Sequence, residues 1–493
     1  MLALLSLTAG AAPLQDVGFG WAAGFGNESQ DNGWSIAVDD DGNVYTTGFF
    51  LGTVDFDPGP GKFNLVGNDV ISSIFVTKMD GNGNLLWAKA MGGTGNALGY
   101  ALAIDSAGNV YTTGRFAEIV DFDPGEGTAE LTSAGESDIF VSKLNGTGDF
   151  VWAKRLGGFS DDQALGIGVD SAGNVYTSGQ FQGSADFDPG TGTVELTSAG
   201  ESDIFVSKLN GNGDFVWAKQ IGGSDIDRAV RLAMDGAGNV HVTGRFAGSV
   251  DFDPGPGTAN LSGNGSEPDS FVLKLDGDGN YVWAVAMGGT DGERGVGIAV
   301  DNAGNLNATG WFRGTADFDP GQGVFNLTSS GEDDVYVVKL NSSGNFVWAK
   351  NFGGPFSEEG WGITVDQAGN VYTTGSFINT ADFDPGPGTF TLTAADSNIF
   401  VSKLDSSGEF VWAQQMVSSS RGLGLDIAVD RKNNVYTTGY FSGDTDFDPG
   451  SGSFVLSSPP ASGIVLNENI FISKLTQSGL PTENRIYLPL TQK

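Results

Sequence analysis

Along this chain apolar and polar residues alternate in short runs, and no stretch keeps a helical spacing over three turns. Runs of Val, Ile, Phe, Tyr and Thr separated by Gly, Asn and Asp predict strands throughout and an all-β chain. Four strand-like pieces recur in a fixed order. The first is an apolar run leading into Asp, as in Ile36-Ala37-Val38-Asp39. A turn of the form Asp-x-x-Gly-Asn, such as Asp105 to Asn109, joins it to the second, Val110-Tyr111-Thr112-Thr113-Gly114. Gly and Asn in that turn supply the positive φ of a tight hairpin. A longer segment then carries Asp-Phe-Asp-Pro-Gly. The third piece is Phe140-Val141-Ser142-Lys143, with equivalents at Phe75, Phe205, Phe271, Tyr336, Phe400 and Phe471. A Gly-bearing turn, Asn145 to Asp149, leads to the fourth, Phe150-Val151-Trp152-Ala153-Lys154.

The order repeats at a fixed period. Asp-Phe-Asp-Pro-Gly begins at Asp55, Asp121, Asp186, Asp251, Asp317, Asp382 and Asp446, in steps of 66, 65, 65, 66, 65 and 64 residues. Units that cannot bury a face alone must stack into one body, which overrides a length-based expectation of several domains. Four antiparallel strands, seven times over, predict a seven-bladed β-propeller of four-stranded antiparallel blades. Trp-Ala pairs mark the fourth strands at Trp87, Trp152, Trp217, Trp283, Trp348 and Trp412, and Trp21 lies 66 residues before Trp87. No Trp-Ala strand follows Phe471-Ile472-Ser473-Lys474. Phe19 to Ala22 is therefore expected to complete the blade formed by residues near 424 to 475, closing the ring and removing two open sheet edges. The expected organisation is a signal segment over 1–12, the propeller over 17–476 and a tail over 477–493.

The Asp-x-x-Gly-Asn-Val-Tyr-x-x-Gly block, the Phe-Val-x-Lys-Leu strand and the Gly pairs after it (Gly92-Gly93, Gly157-Gly158, Gly222-Gly223, Gly288-Gly289, Gly353-Gly354) resemble the SBBP-type seven-bladed β-propeller repeat of secreted and cell-surface bacterial proteins. The resemblance covers roughly residues 17–476. It implies an extracellular binding or structural role, since members of that family mostly lack an assigned activity. Leu306-Asn307-Ala308 departs from the usual Val-Tyr-Thr, and Val417-Ser418 from the Gly pair.

Composition narrows the partners. The net charge is -36, with 24 basic residues against 60 acidic ones. Such a surface repels phosphate backbones and anionic lipid, so nucleic acid and membrane surfaces are not expected partners, and cations are the natural counter-charge. Solubility outside the cell accounts for the bulk of that charge. There are no cysteines, so disulfides and thiolate zinc sites are excluded. Leu2 to Ala12 is an apolar run of signal-sequence length, with Ala9-Gly10-Ala11 as a small-x-small cleavage site, though a basic lead-in is missing. Export to the cell surface or beyond is the expectation, as a monomer with no membrane span. The segment Arg485-Ile486-Tyr487-Leu488-Pro489-Leu490 resembles short terminal segments of other secreted bacterial proteins.

Two groups of residues are candidates for chemistry. Within each motif, Asp-Phe-Asp in an extended segment puts both carboxylates on one side. Asp-Pro-Gly suits a type II turn with Asp first. On the structural reading, the second Asp accepts from its own turn and the first pairs with a strand lysine such as Lys78. On the sharper reading, Asp55 and Asp57, Asp121 and Asp123, Asp186 and Asp188, Asp251 and Asp253, Asp317 and Asp319, Asp382 and Asp384, and Asp446 and Asp448 hold Ca²⁺. Backbone or water oxygens would then complete the six to eight ligands. The per-blade lysines, Lys78, Lys143, Lys208, Lys274, Lys339, Lys403 and Lys474, are expected to be ion-pair partners within each blade. The second group breaks the repeat, in the links that converge on the axis. These are Glu28 and Asp31; Asp161 and Asp162; Asp225, Asp227 and Arg228; Asp291, Glu293 and Arg294; Glu358, Glu359 and Trp361; and Arg421. Arg228, Arg294 and Arg421 fit an anionic or sugar ligand, with Trp361 and Trp34 as stacking surfaces; solvated loop charge is the plainer reading. His241 is the one histidine, stands where other units have Tyr, and is expected to be a packed substitute, because no nucleophile signature accompanies it. The composite expectation is a non-catalytic binding scaffold for a protein or glycan. The alternatives are a carboxylate-based carbohydrate-active enzyme at the axial mouth and a purely structural envelope protein. A deep axial pocket with raised carboxyl pKa values would favour the enzyme, an occluded channel the scaffold.

Overall fold

The computed structural model describes residues 17–265, 267–459 and 467–477; the expected signal segment 1–12 and the tail beyond Gln477 lie outside them. The described residues are all-β, with antiparallel strands and no helix.

Pairing sorts the long strands into four-stranded units. Unit I holds Asn32–Val38, Val44–Phe50, Ser73–Met79 and Leu85–Gly93. Unit II holds Ala97–Ile104, Val110–Phe116, Asp138–Leu144 and Phe150–Gly158. Unit III holds Gln163–Val169, Val175–Phe181, Asp203–Leu209 and Phe215–Ile221. Unit IV holds Arg228–Met234, Val240–Phe246, Asp269–Leu275 and Tyr281–Gly289. Unit V holds Glu293–Val300, Leu306–Asp317, Asn326–Leu340 and Phe346–Phe352. Unit VI holds Glu359–Val365, Val371–Asp382, Thr391–Leu404 and Phe410–Ser418. Unit VII joins Gly422–Val429, Val435–Phe441 and Asn469–Gln477 to Val17–Phe25, with Trp21 opposite Lys474.

The second and third strands of each unit are buried on both faces, as the Val, Phe and Tyr runs require. The apolar clusters lie between units rather than within them. Ile139, Val141 and Leu156 of unit II, for example, pack on Phe181, Phe187 and Phe205 of unit III. The cluster between units VII and I joins Phe25, Tyr436 and Ile472 to Phe50, Phe56 and Phe75. A buried aromatic ring of this kind contributes roughly 2–3 kcal/mol by apolar area alone.

Two devices fasten successive units. On one rim, the Trp of a fourth strand donates its indole N–H to the next unit's third turn: Trp87 to the Gly146 carbonyl at 3.3 Å and Trp152 to Gly211 at 3.2 Å. On the other rim, the Asp-Phe-Asp segment forms a small hairpin, which in units II to VII pairs back onto the preceding unit, while the unit I hairpin, Thr53–Asp55 with Asn64–Val66, pairs only with itself. Val120 and Asp121 lie against Gly93 and Gly92, and Asp186 against Gly157. A Cβ on Gly93 would run into the Ile119 carbonyl, which is why the Gly pair is there.

Inside the hairpin the first carboxylate braces the loop. Asp121 Oδ1 accepts from the amides of Asp123 at 3.0 Å and Ala129 at 2.8 Å, and Asp123 Oδ1 accepts from Gly125 at 2.8 Å. The expected type II turn is not formed: Gly125 and its equivalents lack the positive φ it needs, because the Asp side chain itself closes the turn. A second correction concerns the lysines. Lys78 does not meet Asp55; it lies on the opposite rim, its Nζ 4.9 Å from the centre of the Tyr45 ring. Lys143, Lys208, Lys403 and Lys474 sit over Tyr111, Tyr176, Tyr372 and Tyr436 in the same way. Where the tyrosine is absent, the lysine still meets the aspartate of the first turn. Lys274 meets Asp235 at 3.1 Å beside His241, and Lys339 meets Asp301 at 3.2 Å beside Asn307.

Candidate functional site: the axial mouth

Each unit's first strand carries a β-bulge at the same place. The extra residues are Trp34, Tyr100, Leu165, Val230, Val296, Trp361 and Leu425. A bulge re-aims its side chain, and here the side chains gather where the first strands converge. Trp34 lies 5.0 Å from Tyr100 and 6.5 Å from Trp361, ring centre to ring centre, and Trp361 lies 5.3 Å from Trp311. Units I and VI are not paired neighbours, so these rings reach across the middle. Leu423, Leu425 and Tyr440 pack with Trp34 and Trp361 to complete an apolar floor.

One residue below the bulge, other units have small or acidic side chains: Ser35, Ala101, Gly166, Gly297, Gly362 and Asp426. Unit IV has Arg231. Its guanidinium donates to the carbonyls of Tyr100, Leu165 and Trp34, each at 3.1 Å, tying unit IV to units II, III and I under the floor. A cavity of about 120 Å³ remains below, lined among others by Arg231, Ser35 and Asp426. Asp426 accepts from Ser35 Oγ at 2.8 Å and from the Ile36 amide at 3.0 Å. Grooves of about 470 Å³ lie on the opposite rim between neighbouring turns, but the same groove recurs from one interface to the next and belongs to the repeat.

The rim of the mouth divides in two. Cross-strand partners place Arg228 opposite Arg245, Leu98 opposite Arg115, Gln163 opposite Gln180, and Arg294 opposite Trp311. Units II to V thus present arginine and glutamine, and the remaining arc presents Trp34, Trp361 and Tyr440. Arg115 meets Asp161 at 3.3 Å, and Asp161 also accepts from Ser137. Arg294 lies 5.7 Å from the Trp311 ring centre. Burial lowers the pKa of Arg228, Tyr100 opposes that shift, and Arg115 and Arg294 add to it. Burial, then Arg294 and Arg228, bring Arg245 down to about 10.

The carboxylates expected at the mouth separate into two sets. Asp162, Asp227, Glu293 and Glu358 are fully buried at unit interfaces and do not face the mouth, which corrects that expectation. Asp31 belongs with them. Asp162 accepts from the amides of Gly158 at 2.7 Å and Gln182 at 3.0 Å, bracing the link before it and the start of the hairpin. Asp227 does the same with Gly223 and Ala247, and Glu358 accepts from Gly354 at 2.7 Å. Burial raises all of them: Asp31, Asp162 and Glu358 to about 7, Asp227 to about 6 and Glu293 to about 8. Asp225 and Asp291 are exposed on the links. Glu359 accepts from Trp361 Nε1 at 2.9 Å, and Arg421 meets Glu468 at 3.4 Å while lying over Tyr440. Among the described residues no group of three or more His, Cys, Asp or Glu is gathered as a metal site. His241 is buried, 3.3 Å from Asp235 in the place of a tyrosine.

Residues 19–48 match the family described as the SBBP β-propeller repeat. The matched segment is a β-propeller repeat, and the other units share its four-stranded pattern. An uncharacterized WD repeat-containing protein of Acanthamoeba polyphaga mimivirus is 24% identical over 86% of this chain, and the match covers 36% of that protein. The regulatory protein FlaEY of Caulobacter vibrioides is 28% identical over 40% of this chain and 20% of its own length. This chain therefore spans little more than a third of the first of these relatives and a fifth of the second. Among solved structures, Sqt1 from Chaetomium thermophilum aligns over 94% of this chain and 100% of its own, at a TM-score of 0.42 and 9% identity.

Of the residues expected from the sequence, Asp161, Arg228, Arg294, Glu359, Trp361, Arg421 and Trp34 come together here; Arg115, Arg231, Arg245, Tyr100, Trp311 and Tyr440 join them without having been singled out. Arg231 carried a usable signal, since it breaks a column of small residues. Arg115 and Arg245 lie at the ends of second strands, where only the pairing shows that they face the axis.

Proposed function

We propose that the chain is one seven-bladed β-propeller, its last blade completed by Val17–Phe25, which works outside the cell or on its surface as a monomeric, non-catalytic binding scaffold. Support for the ring comes from the Val17–Phe25 pairing with Asn469–Gln477 and from first strands that meet in succession, the first strand of unit VII touching that of unit I. The ligand site in this proposal is the axial mouth on the hairpin side. The observation that carries it is the occluded channel: an aromatic floor locked from below by Arg231 makes a shallow basin rather than a deep pocket. The acids with raised pKa values are packed away at unit interfaces, which favours a scaffold over a carboxylate-based glycosidase. A glycan and peptide array, probed with and without calcium, tests the reading. Binding lost in Trp34→Ala supports it. Sugar release from any bound glycan would transfer the mouth to the enzyme reading, and an empty array to a structural envelope role.

A further inference from the structure

The basic residues of this protein are scarce, yet four of its ten arginines meet at one arc of the axial mouth. Acids outnumber bases by 60 to 24, so an arginine placed by chance finds a carboxylate. Here, among the described residues, Arg228, Arg245 and Arg294 have no carboxylate within 4.0 Å, and Arg228 Nε is buried without a hydrogen-bond partner. Like charges crowded together and left unpaired are unfavourable unless something anionic joins them. Beside the arc, Trp34 and Trp361 present half-buried indole faces. Gln163 and Gln180 stand between Arg115 and Arg228 as uncharged hydrogen-bonding groups.

Resting on the scaffold reading, we infer that the mouth binds an acidic saccharide, its carboxylate or sulfate groups held by Arg228, Arg245 and Arg294 and a sugar face lying on Trp34 and Trp361. Guanidinium forks match the two oxygens of such groups, and the C–H face of a pyranose packs on an indole as other apolar surfaces do. The net charge of -36 disfavours a long, densely charged strand such as nucleic acid. A short oligosaccharide with charge spaced one ring apart meets the arginines without bringing a long polyanion against the rest of the surface.

The test is titration calorimetry with trigalacturonate, with a sulfated chondroitin tetrasaccharide and with neutral maltotriose. Binding of either acidic sugar is expected, with a loss of about 10- to 100-fold in Arg228→Gln or Arg294→Gln, the range for a charge-assisted contact. Arg431→Gln on the opposite rim is expected to bind as the native protein does. The carboxylate and sulfate arms show which group is preferred. Arg294 is exposed, so Arg294→Gln keeps the test open where Arg228→Gln fails to fold. Equal binding of maltotriose, or affinity that survives both arginine changes, overturns the inference. A peptide or neutral glycan lost with Trp34→Ala overturns it too, while leaving the scaffold reading intact. No ligand of any class on array or in calorimetry removes both.

Discussion

Glu293 occupies the place held by Asp31, Asp162 and Asp227 in other units and is buried as they are, but it is one methylene longer and neither of its oxygens meets a hydrogen-bond partner in the structure. Burial, opposed by the nearby Gly289 amide and reinforced by Asp269 and Asp291, carries it from the usual 4.5 to about 8. The consequence has a definite sign. Below about pH 4 the group is neutral folded and unfolded, and it costs nothing. As pH rises the unfolded chain releases its proton first, so stability falls between about 4.5 and 8 and is flat above. A shift from 4.5 to about 8 is worth at most ~5 kcal/mol at ~1.4 kcal/mol per unit. Slight opening toward water would reduce that to about 2–4 kcal/mol. Glu293→Gln keeps the shape and removes the titration. For a chain of 493 residues the entropy of unfolding makes ~1 kcal/mol about one degree of Tm. Paired melts of native protein and variant at pH 4.5, 6, 7.5 and 9 should therefore diverge progressively. Gln is expected to gain about 2–4 °C relative to Glu by pH 9. Comparing the two proteins cancels the pH dependence of the other carboxylates. A difference that stays constant across this range would refute the reasoning.

Three further outcomes follow from the repeat itself. Gly127→Ala would press a Cβ into the Asp123 carboxylate; a loss of about 1–3 kcal/mol, seen as a lowered Tm, is expected, and an unchanged Tm would contradict the packing described. His241→Tyr restores the ring other units use against Asp235 and Lys274. The native histidine, lowered to about 4 by burial, stabilises above about pH 6.5 and loses that contribution as pH falls through 4. The tyrosine variant should match the native Tm near neutral pH and exceed it near pH 4; a lower Tm at both would argue against the exchange. The paired motif carboxylates already accept amides of their own loops, so the Tm should agree between chelator and millimolar calcium. A rise of several degrees would return those loops to calcium binding.

The repeat was legible because each strand is a buried run punctuated by turn residues that leave few conformational choices. Asp39 and its equivalents show this: Asp39 accepts from Asn43 and Tyr45 inside one hairpin, so the whole device lies within a short stretch of chain. Asn433 even replaces the usual glycine there, with φ of 63°. What was not legible lies between units. The indole of Trp152 is a period marker in sequence, while its partner carbonyl at Gly211 belongs to the next repeat. Asp121 looked like a lysine partner because the lysine recurs once per unit, as the motif does. The lysine lies on the opposite rim and the amides lie close by. The acids of the links were misplaced for a related reason. Asp161 and Asp162 are neighbours in sequence, but strand alternation sends one to Arg115 at the mouth and the other into the interface.

The mouth exists only if the N-terminal strand and the last described strand share one blade. Ala22 lies directly opposite Ser473 in that pairing, close enough for a disulfide after Ala22→Cys and Ser473→Cys. The chain has no other cysteine. Mild oxidation followed by peptide mapping should find one intramolecular bridge joining the two strands, in monomeric protein. Thiols that stay free, or that link only between molecules, would contradict the ring and the binding face built on it.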